Sequence, residues 1–256
     1  MLTLAQELAH PYSLAWALSW TAMLHQFRRE GQATQERAEA LMALSTKQGF
    51  ASVLTRRDLL RGWALVEQGQ QEEGMAQMHQ SLPALQTTGV QRLRPAQLAL
   101  LAEACEKARH IEEGLSVLTE ALAAVHRSGE RWWEAELYRL KGELLGKGEW
   151  EKGRVGEKEK NRPLTRSPTH SSPEECFLQA IDIARRQSAR SLELRAVVSL
   201  SRLWQQQGKK EEARQILAEI YRWFTEGFDT ADLKGAKALL GELEGTAANM
   251  SFAAEP

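Results

Sequence analysis

Paired carboxylates are the first residues in this chain to invite a chemical reading, because two neighbouring acids can divide the roles of general acid and general base. Four pairs occur: Glu72-Glu73, Glu112-Glu113, Glu174-Glu175 and Glu211-Glu212. Their recurrence argues for structure instead. Each pair falls where the second helix of a repeated hairpin begins, and carboxylates in a first turn interact favourably with the helix dipole. A catalytic dyad has no need of one copy per repeat.

The six histidines, His10, His25, His79, His110, His126 and His170, show neither HExxH nor Cys/His ligand spacing, so no metal site is expected. His25 shares its column with Leu65, Cys105, Leu145 and Trp204 and is expected to be partly buried and hydrogen-bonded. The two cysteines, Cys105 and Cys176, lie in predicted helices and read as free thiols in a reducing compartment. No GxxxxGK[ST] loop is present to hold a triphosphate, and no nucleotide or other cofactor is implied. The chain therefore reads as non-catalytic.

What remains is chemistry for binding. Arginine and aromatic side chains dominate protein-binding surfaces. Arg57, Arg94, Trp132 and Arg139 stand on the first helices of the repeats, beside a column of small residues, and are the candidate groove residues. Seven of the eight tryptophans, Trp16, Trp20, Trp63, Trp132, Trp133, Trp204 and Trp223, lie on predicted helices and read mostly as packing. Trp132 and Trp133 diverge by about 100° on a helix, so one of them is expected to be exposed. Arg28-Arg29, Arg56-Arg57 and Arg185-Arg186 read as solvated faces.

The elements that position these residues repeat every 40 residues. Ala22, Gly62, Ala102 and Gly142 form one column of small residues, and Gly49, Gly89 and Gly129 form another with helix C-cap character. Between them, Met75, Met78, Leu82 and Leu85 have the 3, 4, 3 spacing of one helix face, which Leu115, Leu118, Leu122 and Val125 repeat 40 residues on. Leu18, Ala22 and Leu24 occupy the corresponding core columns of the first helix. Leu2 to Ala9 matches the end of a repeat's second helix, so the array reads as beginning in mid-repeat.

The register breaks once. The equivalent of Gly129 is Ser188, about 19 residues later than a 40-residue step predicts. The extra residues fall within 147–172, which is rich in Gly, Lys, Glu, Ser and Pro and reads as a disordered loop. Ser172, Pro173 and Glu175 then form a capping box that restarts the helix. A last amphipathic helix, Thr230 to Leu243, reads as a cap, and 245–256 as a disordered tail.

The expected fold is thus all-α: a superhelical stack of about five 40-residue helical hairpins with a C-terminal capping helix, filling residues 1–244 as one domain. With 33 basic and 34 acidic residues, the net charge of −1 lacks the basic footprint of a nucleic-acid binder or of a protein drawn to an anionic membrane. The first residues do not read as a signal peptide, and no run of about 18 apolar residues occurs, so a cytoplasmic protein is expected.

The small residue in the first helix, with Ser81, Ala121 and Ala180 in the second, resembles the tetratricopeptide signature, stretched from 34 residues to 40. Longer stretches extend the likeness. HQFRREG, RGWALVEQG, GERWWEAELYRLKGELL, CFLQAIDIARRQSARSLELRA and WFTEGFDTADLKGAKALLGEL resemble the C-terminal helical-repeat region of large bacterial signalling proteins. Those proteins join a class III adenylate or guanylate cyclase domain to a predicted signal-transduction ATPase. The resemblance covers nearly the whole chain except the insert and the tail. It implies a regulatory or interaction segment, encoded alone or as part of a larger frame. The partner would be a protein or peptide, such as the signalling ATPase or cyclase itself, or a small-molecule effector. A detached fragment of a cyclase or ATPase enzyme whose activity resides elsewhere, and the sensor portion of a transcription regulator, are the competing implications, although neither a nucleotide site nor a basic DNA-binding helix is present.

Overall fold

Two turn positions recur along the backbone and set the hairpins. After successive first helices, Arg29, Gly69, Arg109 and Gly208 adopt φ of 59°, 87°, 62° and 83°. After second helices, Gly49 and Gly129 both adopt φ of 72°, and Ser188 adopts 55°. These are left-handed values that end a helix and reverse the chain, and glycine reaches them without a Cβ clash. The computed structural model describes residues 2–8, 10–49, 51–87, 93–156 and 171–251. Gly89, the remaining member of the second column, lies outside them.

Among the described residues all regular structure is α-helical. The helices are α1 (Leu2–Glu7), α2 (Pro11–Phe27), α3 (Gly31–Gln48), α4 (Ala51–Glu67), α5 (Gln71–Thr87), α6 (Arg94–Ala108), α7 (Ile111–Ser128), α8 (Glu134–Gly156), α9 (Pro173–Arg186), α10 (Arg190–Gln206), α11 (Lys210–Tyr221) and α12 (Ala231–Ser251). Their ends follow sequence chemistry. His10 caps α2 by accepting from the Ser13 amide at 3.3 Å, with Pro11 as the first helical residue. Ser172 and Glu175 exchange side-chain and backbone hydrogen bonds of 3.1 and 2.8 Å, completing the expected capping box of α9.

The chain divides into two compact units, Met1–Glu130 and Arg131–Pro256, where the sequence reads as a single repeat domain. In the first unit, α2 packs on α3, α4 on α5 and α6 on α7. Each first helix also packs on the next first helix, α2 on α4 and α4 on α6. In the second unit α8 pairs with α9 and α10 with α11, α8 also packs on α10, and α12 covers α10 and α11.

The small-residue columns lie at the crossings. A Cβ added to Gly62 would meet Met78 Cγ at 2.5 Å and the Gly74 carbonyl oxygen at 2.8 Å. One added to Gly142 would meet the Phe177 ring at 2.5 Å. Ala22, Ala102, Ala121, Ala180 and Ser201 are fully buried, and Ser81 nearly so. Met75, Met78, Leu82, Leu118 and Val125 form the buried face read from their spacing, while Leu115 and Leu122 are half-buried.

Several boundaries differ from those expected. Helix α8 continues to Gly156, through the first ten residues of the segment read as loop. Glu149, Glu151, Lys152 and Arg154 are good helix formers, and their propensity offsets the glycines among them. The remainder of the insert, 157–170, lies outside the described residues. Helix α12 reaches Ser251, through much of the segment read as tail, because TAAN continues a helix without a breaker. Residues 252–256 lie outside the described residues. Helix α11 stops at Tyr221, so Trp223 lies in the turn that follows, with the Arg190 guanidinium 5.5 Å from its ring centre. Finally, Leu24 is 56% exposed although its column reads as core. The equivalents Ala64 and Ala104 are buried where α2 packs on α4 and α4 on α6, and no described helix covers that face of α2.

Candidate functional site

Polar side chains link successive repeats through first helices and, at His79–Glu113 (2.9 Å), through the second helices α5 and α7. In the first unit the indole Nε1 of Trp63 on α4 donates to Glu103 Oε2 on α6 at 2.9 Å. Arg29, in the turn after α2, reaches Glu103 Oε1 at 2.9 Å. Glu103 is 6% exposed, so its charge is held by partners rather than by water. Lys107 on α6 pairs with Glu67 on α4. Trp63 and Glu103, like Glu67 and Lys107, are 40 residues apart, so these contacts join equivalent positions of neighbouring repeats.

The four candidate groove residues fall into separate units. Arg57 on α4 and Arg94 on α6 belong to the first, on helices that pack together. Arg57 pairs with Asp58, and Arg94 Nη2 lies 2.7 Å from Glu120 Oε1. Each keeps one buried nitrogen without a hydrogen-bond partner, Nε of Arg57 and Nη1 of Arg94. Gln97 Nε2 is in the same condition. Gln97 stands one repeat on from Arg57 and one helical turn from Arg94.

Trp132 and Arg139 belong to the second unit. Trp132 and Trp133 lie in the turn before α8 and not on a first helix as expected; Trp132 is exposed and Trp133 buried, with ring centres 5.0 Å apart. Arg139 departs from its expected place on the open side of α8. It is 8% exposed because Glu136, one turn earlier, takes its Nη2 and Nε at 2.8 and 3.0 Å. Ser199 on α10 donates to Glu143 at 2.6 Å, the carboxylate that Arg139 Nη1 approaches at 3.4 Å. A line of buried charge continues through Arg195, 3.9 Å from Glu136 and 2.7 Å from Asp232 on α12. Arg139 thus positions α8 against α10. Sequence reasoning passed over this line and over Glu103. The available signal was an ionisable residue in a mostly apolar first-helix column.

The remaining titratable groups occupy structural places. The acidic pairs open α5, α7, α9 and α11. Hydrogen bonds from Arg214 and Gln215 draw the exposed Glu211 carboxyl down to about 2. His25 is partly buried and hydrogen-bonded as expected, with Nδ1 2.6 Å from Glu30 Oε2. That contact, with Arg28 on the other oxygen, holds Glu30 below the usual carboxylate range. Arg29 and Arg57 are not solvated, whereas Arg185 and Arg186 are. Both cysteines are free and buried, and burial pushes the Cys105 thiol up to about 12, far from a reactive thiolate. Among the described residues, no group of three or more His, Cys, Asp or Glu is placed to hold a metal ion. No described helix is long and apolar enough to cross a membrane.

No family model matches the chain. An uncharacterized protein of Rhizobium meliloti (strain 1021) is 25% identical over 203 residues. The match covers 79% of this chain and 18% of that protein, so the chain spans less than a fifth of the relative's length.

Proposed function

We propose that this chain is a non-catalytic, tetratricopeptide-like α-solenoid module that binds a protein or peptide along its first helices, within a bacterial signal-transduction system in the cytoplasm. The observation that carries this reading is the packing of first helix on first helix, α2 on α4 on α6 in one unit and α8 on α10 in the other. Each unit thereby presents a face built from equivalent helices, the arrangement repeat proteins use for extended binding. Arg57 and Arg94, partly exposed on α4 and α6, supply guanidinium groups, and arginine is a side chain that often dominates binding surfaces. Exposed Trp132 supplies an aromatic anchor in the second unit. The tie to cyclase or ATPase signalling rests on the sequence resemblance.

The test compares two triple variants as bait in affinity capture from a bacterial lysate. Arg57→Ala, Arg94→Ala and Trp132→Ala together should weaken retention of the partner at least about tenfold, since hot-spot truncations cost more than about 1.4 kcal/mol. Glu72→Ala, Thr119→Ala and Arg186→Ala, all exposed on second helices, should leave it unchanged. The opposite pattern would place the binding surface on the second helices.

A further inference from the structure

We draw no further inference here: the strongest candidate, the exposed apolar face of α2 that runs from Trp20 and Leu24 into the groove between α1 and α2, carries nothing, because nothing in the structure shows what covers it.

Discussion

Gly62→Leu should melt far below the wild type, by the equivalent of about 3 kcal/mol or more, and Gly142→Leu should follow with a smaller loss. The difference comes from what each new side chain meets. At Gly62 the first added carbon would already lie 2.8 Å from the Gly74 carbonyl oxygen, and the reciprocal Cβ on Gly74 would lie 2.5 Å from the Gly62 carbonyl. Backbone meets backbone on both sides, so relief requires moving α4 from α5. At Gly142 the obstacle is the Phe177 ring, which can tilt before α9 must shift. Gly245→Leu is the control: it meets nothing within 4 Å and replaces glycine within α12, where a better helix former gains up to about 1 kcal/mol. Thermal unfolding followed by circular dichroism separates the three, and equal melting temperatures would remove the small-residue column from the architecture.

Glu103→Leu should be the most damaging charge-removing substitution in the first unit. Its carboxylate accepts from Trp63 Nε1 and pairs with Arg29, both at 2.9 Å, and it is buried. Removing one partner of a buried pair costs about 3–5 kcal/mol, because the remaining polar groups stay desolvated. Glu103→Gln should lose less, since an amide oxygen can still accept from the indole. Combining Glu103→Leu with Trp63→Phe removes donor and acceptor together, so the double variant should lose less than the sum of the singles. Urea unfolding of the three variants reads this coupling, and strictly additive losses would mean that Trp63 and Glu103 do not act as a unit.

These two sites show what the sequence made legible and what it concealed. The Gly62 crossing could be read because it recurs: a position that admits only Gly, Ala or Ser in successive copies reports a close approach without any structure. The Ser172 cap was legible for a local reason, since its chemistry is complete within four residues. Glu103 was concealed because LAEACEKA reads equally well with the acid in solvent, and only the turn that places Arg29 nearby decides. Arg139 was concealed for the reverse reason. Its surroundings are charged, and whether Glu136 turns it inward depends on α10, 60 residues away, where Ser199 completes the contact. Leu24 failed as a core prediction because periodicity tells which face of a helix is apolar, not whether a neighbour covers it. The helical run to Gly156 was missed because composition marked the insert as loop while local propensity still favoured helix.

The claim that first helices carry the function is tested most directly by a hydrogen-exchange footprint of the full chain with and without its captured partner. Slowed exchange concentrated on α4, α6, α8 and α10, with the backbone of α5, α7, α9 and α11 unchanged, is the predicted result. Protection confined to the second helices would contradict it.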